Sequence, residues 1–171
     1  MSLAPTDYDF GNSSNYFFAT TITCSNEDAR KMYVQGFGHM LNYNHEEAIA
    51  CFSKCAELDP TCAMAWWGIA YCVSSNYNWT PGLGSGYDPI QMAISLKEGC
   101  SEMEQDLIDA LAERHSEEAR DAADPSVLNM GNSAELNIAF AEAMAPLYAV
   151  SYTHLRDHET RGNVVCRLLL E

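Results

Sequence analysis

The sequence predicts an all-α fold of about six helices, arranged as stacked antiparallel hairpins. Three observations lead to this prediction. From Ser25 onwards, apolar residues recur with the 3.6-residue period of an amphipathic helix. Residues that begin and end helices divide this pattern into segments of ordinary helix length, most of them joined by short links. No stretch shows the alternation of polar and apolar residues that is typical of a strand.

The first three helices have the clearest signals. Ser25, with an acidic residue three positions later, is expected to cap the first helix. Residues 44–47 have the spacing of a capping box, which predicts the start of a second helix that ends before Asp59-Pro60. A third helix is expected over residues 62–73. It is apolar almost all round, which indicates that other helices cover both of its sides.

The second half of the chain contains an insertion and three further predicted helices. Residues 76–87 are rich in glycine and aromatic residues and are too long for a hairpin turn, so we expect an insertion loop. Asp88-Pro89 is expected to begin a fourth helix that Gly99 ends. A second capping box at residues 101–104 predicts a fifth helix. A sixth is expected to open at residues 132–135, with Leu136, Phe140, Met144 and Leu147 on its apolar face.

One pair of predicted helices has the spacing of a known repeat. When Pro60 is taken as the closing proline of a unit of about 34 residues, small and aromatic residues fall at its packing positions. These residues are Gly36, Ala48, Phe52 and Cys55, followed in the next unit by Trp66, Ile69 and Ala70. The pattern resembles a tetratricopeptide repeat and the beginning of its successor, which implies a superhelix of α-hairpins.

The resemblance extends to a family of long tetratricopeptide-repeat proteins and covers roughly residues 20–148. It rests on Gln35-Gly36-Phe37, on residues 43–48 and 59–70, and on Asn76-Tyr77-Asn78. The likeness stops in mid-repeat, so the chain is interpreted as a truncated N-terminal fragment of such a protein. Residues 150–171 resemble the translated sequence of a sequencing-library adapter. We therefore expect an N-terminal arm at 1–24, a repeat domain at 25–148 and a non-native or disordered tail at 149–171.

Charge and composition restrict the partners and the location. The chain has 9 Lys and Arg against 24 Asp and Glu, a formal net charge of -15, which phosphate backbones and anionic headgroups would repel. We therefore expect neither nucleic acid nor membranes as partners. The first twenty residues lack the basic and apolar regions of a signal peptide. Seven cysteines, an odd number, indicate reduced thiols and a cytoplasmic protein.

The resemblance implies a protein-interaction scaffold that holds a neutral or basic peptide, or a partner helix, on an aromatic concave face. The residues that it places on this face are Arg30, Tyr33, Phe37, Met40, Leu41, Met64, Trp67, Tyr71, Ser74 and Ser75. An alternative is that these aromatic residues pack against the N-terminal arm or a further helix. A second alternative for the function is a helical-repeat domain that supports a larger enzyme or a metal-binding protein.

No catalytic, cofactor or metal site is predicted from the remaining motifs. Cys51 and Cys55 lie one helical turn apart and could share a metal, but no second pair accompanies them, so they are interpreted as small buried apolar residues. Cys62 has no second cysteine at the spacing of a redox motif. His154 and His158 have zinc-ligand spacing, but they belong to the adapter-like tail.

The fifth predicted helix also carries acidic side chains at helical spacing. Asp106, Asp109, Glu113 and Glu117 are interpreted as a solvated helix face, since no calcium-loop spacing accompanies them.

Overall fold

The computed structural model describes residues 21–74, 86–115, 117 and 130–155, and in the last range the side chains of residues 135–147. Six α-helices lie in these ranges: α1 (Glu27–Leu41), α2 (His45–Leu58), α3 (Ala63–Val73), α4 (Tyr87–Leu96), α5 (Glu102–Arg114) and α6 (Met130–Leu155). A short 3₁₀ helix, Lys97–Gly99, follows α4. The described ranges contain no strand, so the predicted all-α class is confirmed.

Each helix packs against the helix that follows it in the chain. The helix pairs α1–α2, α3–α4 and α5–α6 form antiparallel hairpins, and α2 packs on α3 while α4 packs on α5. The first helices of successive hairpins also touch, because α1 contacts α3 and α3 contacts α5. This offset stack is the arrangement of hairpins that the sequence predicted.

Helix caps agree with the sequence in part. The capping box at Ser101 and Glu104 is confirmed, since the Ser101 hydroxyl accepts from the Glu104 N–H and the Glu104 carboxylate accepts from the Ser101 N–H. The box predicted at residues 44–47 is wrong, because the Asn44 side chain makes no capping hydrogen bond. Asn26 rather than Ser25 caps α1, because Ser25 donates both its N–H and its hydroxyl to Asp59.

The structure describes only parts of the predicted arm, insertion loop and tail. Residues 1–20, 75–85 and 156–171 lie outside the described ranges, and with them most of the predicted arm, insertion loop and tail. The helix α6 continues to Leu155, past the predicted end of the repeat domain at residue 148. The side chain of His154 and all of His158 lie outside the described residues. Among the described residues, no helix is both long and apolar enough to cross a bilayer.

The ring of Phe52 joins the first three helices. It is fully buried, and Gly36 on α1 and Gly68 on α3 both face it. A Cβ atom added at Gly36 would come within 2.8 Å of the ring, and one added at Gly68 within 2.7 Å. Because the two glycines bring both helices close to one ring, the ring cannot move away from one helix without approaching the other. This confirms Gly36 and Phe52 as packing positions; the sequence did not indicate Gly68.

We expect Gly68→Ala to lower the free energy of unfolding by about 1–3 kcal/mol, since the added methyl group overpacks the α1–α2–α3 junction. Gly99→Ala is the matched control, because a Cβ there would meet nothing within 4 Å. Urea unfolding of both variants measures the difference. The penalty of Gly68→Ala should shrink in a Phe52→Leu background; an equal penalty in both backgrounds would contradict contact with the ring.

Candidate functional site

The concave face predicted from the resemblance is largely interior. Tyr33, Phe37 and Met40 of α1 and Met64 and Trp67 of α3 are all buried, and none is more than 4 % exposed. These five side chains are unavailable to a partner in this conformation. The expectation that they form an open binding face is corrected here, and the alternative that they pack within the chain describes their position.

Contacts with neighbouring helices explain this burial. The indole N–H of Trp67 donates a 3.0 Å hydrogen bond to the carbonyl of Leu107, so α5 lies directly against the predicted face. Tyr71 stacks on Trp67 with ring centres 5.6 Å apart. Tyr71 and Leu41 are partly buried and Ser74 is buried, whereas Ser75 lies outside the described residues. Close stacking of α1, α3 and α5 therefore places these aromatic residues in the seams between helices.

Arg30 holds the chain segment that precedes α1. Its guanidinium donates to the carbonyl oxygens of Ile22 and Cys24, the latter at 2.6 Å. Thr23 of the same segment donates its N–H and its hydroxyl to the buried carboxylate of Glu104 on α5. Arg30 therefore positions residues 21–26 in this structure, instead of facing a partner as predicted.

Three cysteine side chains meet where this segment crosses the α2–α3 turn. The sulfur atoms of Cys24, Cys55 and Cys62 all lie within 4.8 Å of one another. The Cys55 and Cys62 sulfurs are 3.8 Å apart, and both residues are fully buried, whereas Cys24 is partly exposed. Cys51, the partner that sequence spacing suggested for Cys55, is not part of this cluster.

Asp59 ties the same three segments together. One carboxylate oxygen accepts hydrogen bonds from the Ser25 N–H at 2.6 Å and from the Ser25 hydroxyl at 2.8 Å, and the Cys24 thiol also donates to it. The other oxygen accepts from the N–H and the hydroxyl of Thr61. Burial by itself raises the pKa of Asp59, but the hydrogen bonds from Thr61 and Ser25 outweigh it and hold the pKa well below its usual range.

The thiols of the cluster have different proton affinities. Burial raises the pKa of Cys24 to about 12. The hydrogen bond that Cys55 donates to Cys62, together with burial, raises the pKa of Cys55 far above its usual value. The same hydrogen bond lowers the pKa of Cys62, although burial opposes it. Burial is the main cause that raises the pKa of Tyr33. Cys62 and Cys55 raise this pKa further.

Replacing Asp59 with Asn should cost about 2–3 kcal/mol of stability at neutral pH, since an amide cannot accept all of these charge-assisted hydrogen bonds. The folded-state pKa of Asp59 is depressed, so its stabilisation is present above the unfolded-state pKa and is lost as the pH falls below about 4. Denaturant unfolding as a function of pH measures both effects.

Glu57→Gln is the control for Asp59→Asn. Glu57 is exposed and forms a surface ion pair with Lys54, a kind of pair that contributes little to stability. Equal losses of stability in the two variants would contradict the role given to Asp59.

A second polar contact joins Ser74 after α3 to His115 after α5. The Ser74 hydroxyl lies 2.7 Å from Nε2 of His115 and donates its only proton to the carbonyl of Ala70. Burial and the neighbouring Arg114 lower the pKa of His115 to about 4. The contact joins the end of α3 to the end of α5.

We expect the ring of His115 to stay neutral well below its usual pKa of 6.5 and to titrate near pH 4. Because the unfolded chain binds the proton first, stability should fall by about 1–3 kcal/mol as the pH drops from 6.5 towards 4. Histidine-selective NMR titration measures the ring directly. A midpoint near 6.5, or an unchanged pH slope in His115→Gln, would contradict this assignment.

An open cleft lies between α5 and α6. It has a volume of about 260 Å³ and carboxylates on one wall, with an apolar surface opposite. Its lining residues are Asp106, Asp109, Ala110 and Glu113 of α5 and Ala143, Pro146 and Leu147 of α6. We call this the α5–α6 groove.

The carboxylates of the groove face solvent. Asp106, Asp109 and Glu113 are exposed, as the sequence predicted, and Lys97 neutralises Asp109 through a bidentate ion pair. The sequence indicated these residues only as a helix face, because nothing in the pattern of α5 shows which residues of α6 lie beside it.

Comparison of the chain with protein-family models, with curated proteins and with solved structures finds no match.

Proposed function

We propose that the chain is a protein-interaction scaffold of the tetratricopeptide-repeat type, which binds a basic peptide or partner helix in the α5–α6 groove. The observation that carries the proposal is the composition of this groove, with exposed carboxylates on one wall and apolar residues on the other. A basic amphipathic segment has the complementary pattern of charged and apolar side chains.

The charges along α5 favour a helical or extended partner over a small ligand. Asp106, Asp109 and Glu113 are spaced at three and four residues, so they form one ridge along the helix. Lys97 already pairs with Asp109, which leaves the carboxylates of Asp106 and Glu113, at the two ends of the ridge, as the principal charges for a partner. The apolar wall of Ala143 and Leu147 supplies the surface that a partner would bury.

The overall charge supports the same class of partner. A net charge of -15 attracts basic proteins over long distances and repels nucleic acids and anionic membranes. The proposal thus keeps the predicted neutral or basic partner and a cytoplasmic, non-enzymatic protein, but moves the contact from the buried aromatic residues to the last hairpin. The alternative of a domain that supports a metal site is supported by the cysteine cluster and is compatible with this groove.

The test removes two charges from the groove without changing side-chain shape. Affinity capture with the whole chain identifies basic partners, and titration calorimetry with the purified partner then compares two double variants. Asp106→Asn with Glu113→Gln should weaken binding about fivefold to tenfold, and raised salt should weaken binding by the parent chain.

The matched control is Glu46→Gln with Glu57→Gln on α2. It removes the same number of exposed charges away from the groove and should leave binding nearly unchanged. Equal weakening in both double variants would show that net charge alone acts. A partner that binds both variants as tightly as the parent chain would exclude the groove.

A further inference from the structure

The cysteine cluster has the dimensions of a metal site. Two sulfur atoms bound at about 2.3 Å to one tetrahedral zinc ion lie about 3.8 Å apart. The Cys55 and Cys62 sulfurs are separated by 3.8 Å, and the Cys24 sulfur is within 4.8 Å of both. The distance between the Cys55 and Cys62 sulfurs thus already fits a zinc ion. Small side-chain rotations would bring the Cys24 sulfur to the same distance from both.

Backbone hydrogen bonds hold the three cysteines in place. Cys55 is in the last turn of α2, and its carbonyl accepts from the Asp59 N–H at 2.9 Å. Cys62 directly precedes α3, and its N–H donates to the Asp59 carbonyl at 3.1 Å. Cys24 is held at its carbonyl by the Arg30 guanidinium, a contact that does not use the thiol proton. Such preorganisation lowers the cost of binding a cation.

One buried hydroxyl in the same core lacks a partner. The hydroxyl of Tyr33 is fully buried, and it has no hydrogen-bond partner among the described residues. A buried hydroxyl without a partner is costly. After burial, the main cause, Cys62, Cys55, Glu104 and Cys72 raise the pKa of this hydroxyl, so its electrostatic surroundings include cysteines of the cluster and groups outside it.

We propose that Cys24, Cys55 and Cys62 bind one zinc ion through their thiolates. Sulfur ligands select zinc over magnesium or calcium, which prefer oxygen. Binding releases the three thiol protons, so the three thiolates and the zinc ion together carry one net negative charge. Cys24 then no longer donates to the charged Asp59 carboxylate, and the Arg30 guanidinium at the Cys24 carbonyl is the positive charge beside the site. The ion would join the segment before α1 to the end of α2 and the start of α3. This inference is independent of the α5–α6 groove.

Cobalt substitution tests the site on the full chain. Protein reduced under anaerobic conditions and stripped by a chelator should bind one Co²⁺ per chain. Binding should produce the thiolate-to-cobalt charge-transfer and visible bands of a tetrahedral site, and one equivalent of Zn²⁺ should abolish them. X-ray absorption of the zinc form should show three sulfur neighbours at about 2.3 Å.

Variants assign the ligands. Cys24→Ser and Cys62→Ser should each weaken Co²⁺ binding by more than about 100-fold. Cys51→Ser is the matched control, because Cys51 is equally buried on the same helix as Cys55 but outside the cluster. Circular dichroism of the metal-free variants separates loss of a ligand from loss of the fold, and Cys24 is the safer position because it is partly exposed.

Three results would overturn the proposal. The reduced chain could bind no Co²⁺, or Cys51→Ser could lose binding as completely as Cys62→Ser while staying folded. Alternatively, Cys24→Ser and Cys62→Ser could bind Co²⁺ as tightly as the parent chain while staying folded. None of these measurements involves a protein partner, so their outcome is distinct from that of the groove test.

Discussion

The carboxylate of Asp59 holds together the point at which three segments of the chain converge. Asp59 directly follows α2. Its carboxylate accepts hydrogen bonds from Thr61 in the turn that leads to α3 and from Ser25 in the segment before α1. Because Ser25 precedes α1 and Thr61 precedes α3, these hydrogen bonds join the segment before α1 to the turn between α2 and α3. A carboxylate so well satisfied stays ionised although it is buried.

Packing in the first three helices depends on that geometry. The turn holds the end of α2 next to the start of α3. Gly68 of α3 reaches the Phe52 ring from one side, and Gly36 of α1 reaches it from the other. Close approach of helices leaves little room for a groove between them. The same stacking that stabilises the repeat therefore buries the aromatic residues that a more open superhelix would expose.

The two proposed sites lie in different parts of this stack and would bind their ligands through different interactions. The cysteine cluster is small, buried and held by hydrogen bonds, which suits a cation that needs fixed ligands. The α5–α6 groove is open, acidic and partly apolar, which suits a partner that is attracted by charge and held by burial of its apolar side chains. Thr23 connects the two regions, because it lies beside Cys24 and donates to Glu104 on α5.

The helices and their stacking in chain order could be predicted from the sequence, because helix period and small packing residues act over a few positions. The capping box at Ser101 and the packing of Phe52 on Gly36 are local or repeat-defined features of this kind. The binding face could not be predicted in the same way, since the burial of Trp67 depends on how closely α5 approaches α3. Only the tertiary structure brought Cys24 to Cys55 and Cys62, because no short-range spacing in the sequence encodes the path of the segment before α1.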